Sequence, residues 1–493
     1  MPTAAPLTFL PPRLDARVLA SARLLLPLWL RRGGLRAVQV QGIERLQLAM
    51  AQFQGGQSRL LLAFRHPNLD DPAVMAHLLW VDLARAGRPD GRRFRPRPHV
   101  QFLYDRGIPL WAGSSIGWLL SHLGGCSIQR SKLDLPALRT ARALLLDGPH
   151  PFAVAPEGAT NGHNEVISPL EPGVAQLAFW TADDLNRAGR PEATQVLPIG
   201  LQYRFTTPVW SAIEALLRQL EADVGLDVGL PAGGDEARAG LQAPPSLDPQ
   251  HLYQRLFRLA EVILTRMEDF YRDAYHQPLP KPERPDPESP VPESPIQESP
   301  LSESRANALL AERLGRLMQA ALRVVEQALA VEPHGTVSER CRRLEQAGWE
   351  RLYPANRSST ALDQGLAERL AEETELRLWH MRMVESFVAV SGSYVKQCPS
   401  QERFADTLLI LWDTLCRIKG GNPEQRPRLG PRMALLCIGE PLAVTPRLAA
   451  YRADRRSAVA ELTADLQERL EGLIVPSFNP PPAVPRRHRA NRR

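Results

Sequence analysis

The chain has 493 residues, more than one ordinary hydrophobic core accommodates, so two or three domains are expected. A hydrophobic fraction of 44% and a charged fraction of 23% are those of a globular protein and argue against a wholly disordered or fibrous chain. The net charge of +6 suits an anionic membrane surface, an anionic substrate or an acidic partner.

Residues 13–38 carry Arg13, Arg17, Arg23, Arg31, Arg32 and Arg36 against one acid, Asp15, with Leu19, Leu24, Leu25, Leu28 and Trp29 interleaved. Such a segment either lies in a membrane interface, arginines near anionic headgroups, or packs as a helix on its own domain. Pro27 predicts a kink in both cases. The apolar run 24–30 falls far short of the roughly 20 residues that span a bilayer. No small-residue cleavage site follows it, so neither a transmembrane span nor a signal peptide is expected.

Strand-like runs recur at 59–64, 99–104, 126–130, 152–155 and 196–203, with helix-like segments near 72–86, 114–123, 134–147 and 173–188. This alternation predicts an α/β layered domain with a mainly parallel sheet. Residues 87–98 interrupt it as a basic, proline-rich loop, read as a solvated insertion. Residues 223–249 read as a further loop and 250–275 as a helix, which places the first domain at 1–277. From 278 to 304 the chain is a Pro/Glu/Ser-rich linker with a five-residue period that cannot bury a core. Residues 305–475 read as a separate, almost wholly helical domain without a catalytic constellation, a place where a protein partner could dock. The tail, 476–493, is basic and lacks aromatics that would stack bases, so nucleic acid is not an expected partner. Five scattered cysteines without C-x-x-C spacing favour a reducing compartment over a disulfide framework or a zinc site.

The chemistry concentrates at 60–72. A buried-strand run, Leu60 to Phe64, breaks into Arg65-His66-Pro67-Asn68-Leu69-Asp70-Asp71-Pro72. Asp71-Pro72 reads as an N-cap followed by the proline-tolerant first helical position. The strand therefore delivers His66 to a loop, with Asp71 able to hold its ring. His77…Asp82 has the same spacing, but it falls inside an expected helix, where i and i+5 do not share a face. Three later stretches bear on His66. After the Gly124-Gly125 turn, a short strand ends in Arg130. A strand at 152–155 runs into Pro156-Glu157-Gly158, at the carboxyl end where open α/β sheets bind ligands. The last stretch is Val196-Leu197-Pro198-Ile199-Gly200.

Taken together, residues 58–203 resemble the glycerolipid acyltransferase family, which includes the 1-acylglycerol-3-phosphate acyltransferases. His66-x4-Asp71, Gly124…Arg130, Pro156-Glu157-Gly158 and Val196-x-Pro198-Ile199-Gly200 match its four blocks in order. The resemblance implies transfer of a fatty acyl group from a CoA or acyl-carrier-protein thioester to a hydroxyl of a lysolipid, with 1-acyl-sn-glycerol-3-phosphate the expected acceptor. It implies His66 as general base oriented by Asp71, and Arg130, Glu157, Gly158 and Asn161 as substrate-binding residues. No metal and no cofactor beyond the acyl thioester are implied, and the expected location is cytoplasmic, at an anionic membrane surface. In one respect the chain departs from the family: Thr160 stands where the Glu-Gly-Thr-Arg block has its arginine. His163, Arg204 or an arginine of 87–98 are the candidates to replace that charge. Another lysolipid or hydroxyl acceptor, or an inactive lipid-binding relative, is the alternative.

Overall fold

A computed structural model describes residues 8–129, 133–226, 248–280, 300–354, 360–387 and 393–477. Most of the expected linker, the basic tail from 478 onward and most of the 223–249 loop lie outside the described residues. The protein has an α/β region built on a mixed, mostly parallel eight-stranded sheet, followed by a helical region.

The strands are β1 (Leu35–Gln41), β2 (Ser58–Phe64), β3 (Gln101–Asp105), β4 (Gly125–Ile128), β5 (Phe152–Val154), β6 (Ala193–Phe205), β7 (Arg432–Ile438) and β8 (Leu442–Ala443). Their order is β1-β7-β6-β2-β5-β3-β4, with β8 on β6. The pairings are parallel except those of β6 with β7 and β8. In β2 the side chains alternate between two cores. Leu60 and Leu62 join Leu46, Met50, Val74 and Leu78 on one face, and Leu61 and Ala63 join Ala141, Phe152, Val174 and Phe179 on the other. Burial on both faces explains why β2 reads as an unbroken apolar run.

Two compact units divide the chain. One comprises Phe9–Pro208 with the segment from Gly430 onward, and the other comprises Val209–Leu429. The second unit is helical where described, with helices Trp210–Asp223, Pro249–Tyr275, Pro300–Leu329, Val337–Leu352, Ala361–Phe387 and Gln401–Ile418. Two expectations need correction. The helical reading of 305–475 fails at Arg432–Ile438, which is a strand lying between β1 and β6. A short apolar run of this kind is ambiguous by periodicity, and burial between two neighbours decides it. The basic segment 13–38 contains a helix, Ala16–Arg32, which ends before β1. Finally, residues 300–304, read as linker, already belong to the helix that starts at Pro300.

His99 ties the helical segment Leu78–Leu83 to the turn before β4. The Trp80 indole donates to its Nδ1 (3.2 Å), so Nε2 carries the proton and donates to the Leu123 carbonyl (3.0 Å). Burial, with His150 close by, pushes its pKa down to about 3. The folded value lies below the ordinary one, so the unfolded chain binds the extra proton between about pH 6.5 and 3. This stability is complete above about pH 6.5 and is lost as pH falls toward the folded value. His99→Gln should flatten the loss of stability between pH 7 and 4 by roughly one bound proton. Thermal unfolding at stepped pH reads this slope, and an unchanged slope would contradict a neutral, buried His99.

Candidate active site

The site forms where β2, β5 and β6 end. β2 and β5 lie side by side, Ala63 opposite Val154, so the loops that follow them emerge together. His66 comes from the first loop and Glu157 from the second. β6 pairs with β2 up to Phe64↔Ile199 and then continues to Phe205, carrying Tyr203 beyond the end of β2.

His66 Nδ1 is 2.8 Å from Asp71 Oδ2. An ionised carboxylate accepts and does not donate, so the ring proton sits on Nδ1 and Nε2 is left as the basic nitrogen. The imidazole keeps 21% of its surface exposed while the Asp71 side chain keeps none. Asp71 accepts two further hydrogen bonds, from the Asn68 backbone N–H to Oδ2 (2.8 Å) and from the Tyr203 hydroxyl to Oδ1. Burial and the neighbouring Asp71 charge hold the Tyr203 phenol well above its usual range, so it stays protonated and donates. The Phe64 ring stands edge-on to the imidazole, with ring centres 6.1 Å apart.

Asp71 was expected to cap the following helix. Instead it is the first residue of helix Asp71–His77, and Asp70 occupies the cap position. The Asp71 side chain is occupied by His66 and Tyr203, and the Asp70 carboxylate is bonded by Arg432 Nη2 at 2.7 Å.

Glu157 is buried, and its carboxylate serves the protein. Oε1 accepts the His66 backbone N–H (2.9 Å), and Oε2 accepts the Ser168 N–H and the Asn161 amide, each at 3.0 Å. It thus fixes the backbone that carries the histidine. Asn161 also donates to the Val166 carbonyl (2.7 Å) and accepts from the His163 N–H (3.0 Å), which closes the 161–168 loop. Gly158 has φ 76°, a left-handed conformation in which a side chain would be strained. Beneath these lies Arg65, fully buried, donating to the carbonyls of His163 (2.6 Å), Val166 (2.5 Å) and Asn164, with Glu157 Oε1 at 3.9 Å from Nε. Arg130 lies outside the described residues.

No protein-family model, curated protein or solved structure matches the chain.

The structure brings His66, Asp71, Glu157, Gly158 and Asn161 into one neighbourhood. Thr160 is exposed. Two of the candidates to replace the arginine expected there are buried: His163 is 1% exposed, and Arg204 is 4% exposed with Nη2 bonded to the Val475 carbonyl (2.5 Å). Tyr203 and Arg432 were not singled out from the sequence. Tyr203 sits in an alternating strand and Arg432 lies more than two hundred residues away from the motif stretches, so neither carried a local signal.

The second pair also needs correction. His77 Nδ1 and Asp82 Oδ2 do meet, at 3.0 Å. The segment Leu78–Leu83 is a π-helix, whose wider turn puts i and i+5 on one face. The two pairs differ in their support, since this is the one hydrogen bond of the Asp82 side chain among the described residues.

Replacing Glu157 by Gln should leave Arg65 without its counter-charge and loosen the His66 loop. The expected loss is about 3–5 kcal/mol, the range for removing one partner of a buried charge pair. Denaturant unfolding of the α/β unit measures it, and unchanged stability would show that the carboxylate does not hold this loop.

Proposed function

We propose that the protein is an O-acyltransferase that moves a fatty acyl group from a CoA or acyl-carrier-protein thioester to a lysolipid hydroxyl, with 1-acyl-sn-glycerol-3-phosphate as the acceptor. The observation that carries this reading is an imidazole whose Nδ1 is held by a fully buried carboxylate while its ring edge reaches solvent. The four-block resemblance supplies the reaction class.

In this mechanism His66 Nε2 takes the proton of the acceptor hydroxyl as its oxygen attacks the thioester carbonyl. Asp71 stabilises the imidazolium that results. Collapse of the tetrahedral intermediate expels the thiolate, which receives the proton from Nε2. The acyl group never resides on the protein, so no serine or cysteine nucleophile is needed. Glu157 holds the base in place through its backbone. Arg130 is assigned the acceptor phosphate by the resemblance, a task its planar fork suits.

A membrane-bound acceptor fits the amino-terminal helix Ala16–Arg32. Leu19, Leu26 and Leu30 are buried, whereas Leu24, Leu25, Leu28 and Trp29 are exposed on another face, flanked by exposed Arg17 and Arg31. Among the described residues no helix is long and apolar enough to cross a membrane. Contact in the interface plane is the corresponding proposal. In the helical unit, exposed Leu362, Leu366 and Leu370 repeat on one side of their helix, which supports a protein partner there.

Thioester consumption with a panel of lysolipid acceptors and both donor types tests the activity. His66→Ala should lower turnover by about 10²–10⁴-fold, and turnover equal to the unsubstituted protein would overturn the assignment. Leu28→Glu with Trp29→Glu should weaken co-sedimentation with vesicles containing phosphatidylglycerol while leaving thermal stability unchanged. Undiminished co-sedimentation would exclude this face from membrane contact.

A further inference from the structure

Asp71 has two carboxylate oxygens with different duties: Oδ2 faces His66, and Oδ1 receives the Tyr203 hydroxyl. Tyr203 is itself covered. Arg432, at the start of β7, lays its guanidinium over the phenol ring, 4.9 Å from the ring centre. It also donates from Nη2 to Asp70 Oδ2 (2.7 Å) and to the Gly33 carbonyl (3.4 Å). The charged and titratable groups around the pair are then Arg65, Asp70, Glu157, Tyr203 and Arg432, contributed by two loops and two strands.

We propose that Tyr203 and Arg432 are positioning residues that set the basicity of His66 through Asp71. This rests on His66 being the base of the proposed reaction. A carboxylate that has already received a hydroxyl proton donor holds less charge to share with an imidazolium. A cation over the ring withdraws electron density from the phenol and makes its O–H a stronger donor. Arg432 also neutralises Asp70, whose charge next to Asp71 would otherwise favour the protonated ring. The three effects act in the same direction. They offset the pull of the Asp71 carboxylate on the ring proton, which leaves Nε2 the nitrogen that takes the acceptor's proton.

The experiment is an NMR titration of the His66 ring in the full chain, alongside the pH profile of kcat/KM for thioester turnover. Tyr203→Phe keeps the buried ring and removes the donor. The His66 pKa should rise by roughly one unit, and the acid limb of the profile should move up with it. Arg432→Gln should raise it in the same direction, and this variant decides the matter if Tyr203→Phe does not fold. A His66 pKa that is unmoved in a folded variant overturns the inference, whatever the activity does. A risen pKa in a protein that turns over no thioester would sustain the inference about His66 while removing the acyl-transfer reading.

Discussion

The Asp71 carboxylate is the group on which this site depends. It keeps no exposed surface. An ionised carboxylate taken out of water costs several kcal/mol unless its lone pairs are satisfied. Three donors meet that demand: an imidazole, a backbone amide two residues after it, and a phenol from another strand. Each constrains a different part of the fold. The Asn68 amide sets the turn between His66 and the helix. The phenol requires β6 to run on past the end of β2. The imidazole is fixed as a single tautomer. A requirement for neutralising one buried charge thus fixes a loop, a strand length and the tautomer of a base.

The neighbouring Arg65 and Glu157 show the same logic with the opposite sign. Arg65 is a cation without exposed surface, and backbone carbonyls of the 161–168 loop supply most of its hydrogen bonds. Glu157 meets the amides of the same region. The loop is therefore ordered by two buried charges, one gathering carbonyls and the other gathering N–H groups. A short strand such as β5, three residues long, supplies little rigidity of its own. The rigidity under His66 comes from this polar network, which is costly to break and correspondingly specific.

Much of the fold was legible in the sequence because its signals were local. The apolar run before His66 is a central strand, and the proline-containing 196–203 stretch is one too, extended at both ends. The His66–Asp71 pair was legible because its spacing crosses a strand-to-helix turn. What escaped notice was non-local or depended on the helix type. β7 is a short apolar run in a helical context, and nothing in its composition says that it lies between β1 and β6. Tyr203 looks like any alternating core residue until the Asp71 carboxylate is found at its tip. His77 and Asp82 were set aside by the geometry of an ordinary helix, which is not the geometry of the segment between them.

The position of β7 also bears on how the chain is made. β1 pairs with β7, and the outer half of β6 pairs with β7, so neither edge is closed until that strand exists. More than two hundred residues of the helical unit lie between Pro208 and Gly430. At about 5–20 residues per second, synthesis of that stretch takes roughly 10–40 s. Through that interval a growing chain holds the His66–Asp71 pair already encoded, while the carboxyl-terminal half of β6, Tyr203 included, presents an unpaired backbone edge. Such an edge is a template for pairing with another chain. The whole of the helical unit is synthesised before β7, and β7 both joins β1 to β6 and delivers Arg432 to the site.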